Sequence, residues 1–195
     1  MELWLYQGTF NPIHNAHLRV AKYILDKYNP KCIIFIPAYN PPHKSIENDN
    51  PTDRLEMLKL INNIDKRFVI SDIEYKRKGK SYTYLTIKEL YETYNDISSV
   101  NFIIGTDAFR HIESWYESDK LKDLITFHVF TRDKTFDKSE FDYLKAKGYK
   151  FVIEVLDFED ISSTDIRIKS KFRQSLDKLV PKEIEEYIYK NGLYK

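Results

Sequence analysis

Two histidines three residues apart stand in the segment Gly8-Thr9-Phe10-Asn11-Pro12-Ile13-His14-Asn15-Ala16-His17. The segment leaves a short apolar run and enters a stretch of helical periodicity. On the first turn of that helix the imidazoles of His14 and His17 would share one face. Unpaired N–H groups and the positive end of the dipole lie beside them. Donors of this kind suit an anion, and phosphate is the natural class. Gly8 has no Cβ and lets backbone approach a ligand closely, while Pro12 stiffens the loop. A capping or surface role for the pair stays open. A metal pair is the weaker alternative, because no third Cys, His or carboxylate lies nearby in a familiar spacing.

A second cluster stands far along the chain: Ile161-Ser162-Ser163-Thr164-Asp165-Ile166-Arg167. Three hydroxyls before a helix can cap it and can donate to phosphate oxygens. Ser162 and Asp165 are spaced like a capping box with Asp in place of Glu. Arg167, one turn in, can clamp a phosphate with its fork of donors or form a surface salt bridge. Between the clusters, Asp107 follows the run that ends at Gly105. It can accept from ribose hydroxyls or cap the next helix. Ser81 or Thr83 can start a helix, Lys44 can be a solvated loop cation, Trp115 can be core, and Arg132 can lie on the surface. There is no Gly-x-x-x-x-Gly-Lys loop and no Gly-x-Gly-x-x-Gly fingerprint.

These residues need elements to hold them. Apolar runs at residues 3–6, 32–37, 68–73, 100–104, 125–131 and 151–156 read as strands. Helical stretches at 17–28, 53–64, 84–94, 107–115, 138–147, from 163, and 181–190 separate or follow them. Leu18, Ala21, Ile24 and Leu25 share a face of the first helix. Pro181 suits a first turn and Gly192 a stop. Alternation of this kind predicts an α/β fold, a doubly wound parallel sheet with helices on both faces and a helical segment at the carboxyl end. All five glycines fall near element ends, and Gly8 and Gly105 follow strands where open α/β sheets bind ligands. The polar stretch at residues 39–52 is the only extended loop.

The chain has 195 residues, 42% hydrophobic and 31% charged, which suits one domain spanning residues 1–195. Thirty-one basic side chains against thirty acidic ones argue against nucleic acid or anionic membrane as a partner. The single cysteine, Cys32, excludes an internal disulfide. No run approaches the length of a membrane helix and residues 1–6 lack the features of a secretory signal, so a cytoplasmic protein is expected.

Taken together, Gly-x-Phe-x-Pro-x-His-x-x-His and Ile-Ser-Ser-Thr-x-Ile-Arg resemble the two signatures of the adenylyltransferase branch of the nucleotidyltransferases, in the same order. Members of that superfamily contain a Rossmann-like sheet. Ala16 and Gln7 stand where glycines are usual. Asn40-Pro41-Pro42-His43-Lys44, Ser81-Tyr82-Thr83, Ile104-Gly105-Thr106-Asp107 and Trp115-Tyr116 extend the resemblance to the bacterial-type nicotinate-nucleotide adenylyltransferase family over nearly the whole chain. Asp133-Lys134 replaces the Pro-Gly that often follows the arginine matched by Arg132.

The resemblance implies transfer of AMP from ATP to nicotinate mononucleotide in NAD biosynthesis. It implies catalytic roles for His14, His17 and Arg167. ATP would be held by these three with Gly8, Thr9, Phe10, Gly105, Asp107, Arg132, Ile161, Ser163 and Thr164. The mononucleotide would meet Lys44, Tyr82, Thr83, Trp115 and Tyr116, with backbone N–H groups around Thr83 and Tyr116 receiving the carboxylate. Mg²⁺ would arrive with the ATP phosphates and need no protein metal site. His43, His111 and His128 receive no ligand role. Three rivals share the fold: adenylyltransferases acting on phosphopantetheine or on nicotinamide mononucleotide, and a nucleotide sensor without turnover.

Overall fold

The computed structural model of the chain describes residues 1–42, 50–157 and 161–195. The six apolar runs become strands β1 (Glu2–Gly8), β2 (Ile33–Pro37), β3 (Phe68–Ile70), β4 (Ser99–Gly105), β5 (Thr126–Thr131) and β6 (Lys150–Val155). They form one sheet in the order β3-β2-β1-β4-β5-β6, parallel throughout. Leu5 lies opposite Phe102 and Ile34, and Ile104 opposite Val129. This is the Rossmann-like doubly wound sheet expected from the alternation of elements. The chain winds outward in both directions from the β1–β4 pair. A crevice therefore opens beyond the carboxyl ends of these two strands, where ligands bind in sheets of this type.

The described α-helices are α1 (Asn15–Tyr28), α2 (Pro51–Leu60), α3 (Ile73–Arg77), α4 (Thr83–Thr93), α5 (Thr106–Phe109), α6 (Ser118–Leu124), α7 (Asp142–Ala146), α8 (Ser163–Lys171) and α9 (Lys182–Lys190). Side chains alternate across each strand with a period of two. Trp4, Ile103 and Phe130 therefore pack with α1, α2, α8 and α9, whereas Leu5, Phe102 and Phe127 pack with α4, α6 and α7. On α1 the buried stripe is Val20, Ala21, Ile24 and Leu25, with Leu18 only partly covered at its margin. Fully burying a side chain such as Ile24 contributes about 1.5–3 kcal/mol.

Several boundaries differ from the sequence reading. The apolar run at 68–73 is strand only to Ile70. Ser71 N still donates to Phe35 O at 2.9 Å, and the chain then turns into α3. Residues 107–115 do not form one helix. α5 stops at Phe109 and a single 3-10 turn, Ile112–Ser114, follows, which buries both Phe109 and Ile112. α6 carries no strong apolar period and was not anticipated. Pro181 precedes α9 as its N-cap instead of entering the first turn.

Candidate active site

β1 delivers the first histidine segment to the crevice. Ala38 N donates to Gly8 O at 2.8 Å, tying the end of β1 to the end of β2. A Cβ on Gly8 would lie 3.0 Å from the ring of Phe10, and Phe10 itself is left-handed at φ 50°. The glycine thus makes room for an aromatic ring of its own loop. That ring is buried against Tyr6, Phe35 and His17. Phe10 can offer a ligand only its backbone, because its side chain belongs to the core.

His14 is the extended residue before α1, with φ −147° and ψ 170°, not a first-turn residue as the spacing suggested. The two imidazoles still share a face. Their rings stack with centroids 3.6 Å apart, and His14 N–H donates to His17 Nδ1 at 3.3 Å. An accepting Nδ1 places the ring hydrogen of neutral His17 on Nε2. Burial, with the charge of Arg132 second, pushes His14 down to about 4, so it is neutral at physiological pH. Its Nδ1 has no hydrogen-bond partner among the described residues.

α8 brings the second cluster against this loop. Ser162 caps the helix: its Oγ accepts from Asp165 N at 3.0 Å and donates to Asp165 Oδ2 at 2.7 Å. Ser163 Oγ donates to Pro12 O at 3.0 Å. Arg167 Nη1 donates to Asn11 O at 2.8 Å, and its Nη2 to Thr164 Oγ1 at 3.2 Å. The capping and the loop contacts therefore coexist on adjacent hydroxyls. Ile161 is buried in the core. Arg132, at the exposed end of β5, acts electrostatically on both His14 and Tyr6; the Tyr6 hydroxyl is raised by burial, with Arg132 opposing. The fold thus gathers His14, His17, Arg132, Ser163, Thr164 and Arg167 around one loop.

Gly105 ends β4 next to this loop, and Asp107 follows in the short α5. The Asp107 carboxylate caps nothing; it is largely exposed and pairs with Arg110 Nη1 at 2.9 Å.

Two of the proposed mononucleotide residues are in direct contact. Tyr82 and Tyr116 stack with centroids 4.7 Å apart and 29° between planes. Trp115 is partly buried, edge-on to Phe102. Neither Ser81 nor Thr83 caps α4, whose N-cap is Tyr82 without a side-chain bond. Ser81 instead exchanges two bonds of 2.9 Å with the backbone of Asn40, which ties this segment to the loop after β2. Lys44 and His43 lie outside the described residues.

Four supporting residues carry no motif in the sequence. Arg54 is buried; it donates from Nη1 to Thr9 O at 3.1 Å and to Ala38 O, and from Nη2 to Tyr39 O at 3.2 Å. Tyr194 OH donates to Asn11 Oδ1 at 2.6 Å, and Asn15 bonds the backbone of Lys178 and Leu179. Glu74 is buried beside Gln7, Thr86 and the backbone of Tyr39. A charged residue inside an otherwise apolar helical stripe, as Arg54 is, was the one signal available beforehand. Among the described residues no three His, Cys, Asp or Glu side chains could hold a metal, and no helix is long and apolar enough to cross a membrane.

Comparison with known proteins adds to this geometry. A family model, cytidylyltransferase-like, matches residues 5–169. A protein of Clostridium botulinum named probable nicotinate-nucleotide adenylyltransferase is 39% identical over 196 residues, covering 96% of both chains. A protein of the same name from Staphylococcus haemolyticus is 36% identical over 193 residues, covering 97% of this chain and 95% of its own. Among solved structures, Plasmodium falciparum nicotinic acid mononucleotide adenylyltransferase complexed with NaAD superposes with a TM-score of 0.80 at 22% identity. It covers 99% of this chain and 97% of its own, a likeness of fold.

Proposed function

We propose, for a chain that belongs to the cytidylyltransferase-like family and within it to the nicotinate-nucleotide adenylyltransferases, that the crevice joins nicotinate mononucleotide to the AMP part of ATP. The products are nicotinate adenine dinucleotide and pyrophosphate, and the step belongs to NAD biosynthesis. One observation carries the assignment of the machinery. Arg167 and Ser163 bond the backbone of Asn11 and Pro12, so two segments more than 150 residues apart form a single cradle of donors.

In this reading an oxygen of the mononucleotide 5′-phosphate attacks the α-phosphorus of ATP. The new P–O bond forms as the bond to the β-phosphate oxygen breaks, and pyrophosphate leaves. Such a reaction needs in-line placement and positive charge more than a protein nucleophile. His17 donates from Nε2 to the α-phosphate in the transition state. His14 enters neutral, and its stacked ring positions that of His17. Ser163, Thr164, Arg167 and Arg132 hold the β- and γ-phosphates. The donors assembled here are cationic or hydroxylic and fit phosphate oxygens rather than a bare cation. Mg²⁺ would therefore come with the nucleotide rather than on a protein site, and would supply positive charge against the phosphates beside Ser163, Thr164, Arg167 and Arg132.

The mononucleotide lies at the start of α4, with Trp115, Tyr82 and Tyr116 against its pyridine ring. Leu85 N already donates to Tyr82 O at 3.0 Å, so the first-turn N–H groups that would receive the carboxylate are those of Thr83 and Tyr84. An amide would set its own N–H₂ against them, at a cost of roughly 1–3 kcal/mol. A cytoplasmic setting belongs to the same proposal, since ATP is the co-substrate. The test is pyrophosphate release from ATP and Mg²⁺ with nicotinate mononucleotide, nicotinamide mononucleotide or phosphopantetheine. Release should be fastest with the first. Equal or faster release with either of the others would replace this substrate assignment, and no release alongside tight ATP binding would mark a sensor.

A further inference from the structure

Gln7 belongs to no binding role assigned so far, yet its side chain links two ends of the crevice. The inference drawn from it deepens the reading above and rests on the pyridine ring lying at the first turn of α4. Glu74, on α3, is 1% exposed, and its carboxylate can only accept hydrogen bonds. Oε1 receives Gln7 Nε2 at 2.5 Å and Thr86 Oγ1 at 2.7 Å, and Oε2 receives Tyr39 N at 3.2 Å. Arg77 Nη2 lies 3.6 Å from Oε1 and donates to Thr86 Oγ1 at 3.0 Å.

This ion pair fixes the polarity of everything attached to it. An amide facing a carboxylate must present its nitrogen, so Gln7 presents Oε1 to the opposite side. There it accepts from Thr83 Oγ1 at 2.8 Å. Thr83 is the first residue of α4, and its only hydroxyl hydrogen is thereby turned inward. What Thr83 can still offer a ligand is its backbone N–H. Gln7 also sits one residue before Gly8, where the phosphate loop begins.

We propose that Gln7 is a positioning residue for mononucleotide recognition: it anchors Thr83, and with it the first turn of α4, to the end of β1. The N–H groups that meet the nicotinate carboxylate are thus held in register with the phosphate loop. Gln7 touches no substrate and acts through Thr83.

Gln7→Met keeps the length of the side chain and removes both bonds. It should raise KM for nicotinate mononucleotide about tenfold, the loss of one hydrogen bond. Turnover and KM for ATP should stay within about twofold. Thr83→Val should give the same split, and the double variant should be no worse than either single one. Thr83→Ser, which restores the hydroxyl, should recover the KM lost in Thr83→Val. The proposal is overturned if Gln7→Met leaves that KM unchanged while Thr83→Val raises it. Additive effects in the double variant, or a matching rise in KM for ATP, overturn it equally. Should Gln7→Met fail to fold, the Val and Ser pair at position 83 decides, and lack of rescue by Ser refutes the link. Trp115→Ala in parallel separates this from the underlying reading. If it too leaves mononucleotide KM unchanged, the placing of the pyridine ring is wrong and the proposal falls with it.

Discussion

At the scale of single residues, the histidine pair divides its work by environment. His14 is buried and neutral, stacked under a ring whose hydrogen sits on Nε2. Two imidazolium rings 3.6 Å apart would repel, so at most one charge is stable in the pair before a polyanion arrives. His17→Ala removes the donor proposed for the reacting phosphate. Turnover should fall by about a hundredfold or more while mononucleotide KM changes little, as for loss of an oxyanion donor. Steady-state kinetics at saturating ATP measure this, and equal turnover in the variant would take His17 out of the chemistry. The types and spacing of His14, His17, Ser163, Thr164 and Arg167 were readable from the chain alone. The inward ring of Phe10 was not, because a positive φ at a non-glycine residue leaves no mark in sequence.

At the scale of elements, α8 and α2 both hold the loop between β1 and α1. Arg167 spans Asn11 O and Thr164 Oγ1 with two nitrogens of one planar group. Lysine cannot reproduce that fork. Arg167→Lys should raise KM for ATP about tenfold, with mononucleotide KM nearly unchanged. Arg54 holds three carbonyl oxygens at the ends of β1 and β2. Arg54→Met would leave them buried without these donors. Urea unfolding should show a loss of at least about 3 kcal/mol. A loss below about 1 kcal/mol would mean that the carbonyls find other donors. The apolar core positions of α1 and β4 followed from periodicity, whereas α3 did not. A five-residue helix has too few positions to show a period, and its key side chain, Glu74, is buried for its partners and not for its polarity.

At the scale of the whole molecule, two buried histidines make stability depend on acid. His128 lies under Trp4 and Tyr28, with Nε2 3.1 Å from Asn101 Oδ1, and burial lowers it to about 4 despite the nearby charge of Glu154. His14 is lowered to the same value. Both would titrate near 6.5 when unfolded. Between these values the unfolded chain binds more protons, so stability is full above about 6.5 and is lost as pH falls toward 4, on the order of 3 kcal/mol per residue. Glu154 adds a separate loss at lower pH, below the 4.5 of an unperturbed glutamate. Burial alone would raise it, but bonds from Lys27, Tyr28 and Tyr23 outweigh that and hold it below its usual value. The urea midpoint should therefore drop steeply between pH 7 and pH 4.5. His128→Phe should flatten part of that slope; an unchanged slope would remove His128 from the cause.

The chain by itself determined the layers, the six strands and the two motifs proposed to meet phosphate. Strand and helix periods, and short motifs at element ends, are local properties that a linear pattern can carry. Only the tertiary structure decided which distant pieces support those motifs. Tyr194 on Asn11, Arg54 beneath Thr9 and Glu74 beside Gln7 are contacts across 183, 45 and 67 positions. No period links such positions. They meet because parallel strands β2, β1 and β4 end side by side, and their carboxyl ends leave backbone oxygens and amides that only donors and acceptors from elsewhere in the chain can satisfy.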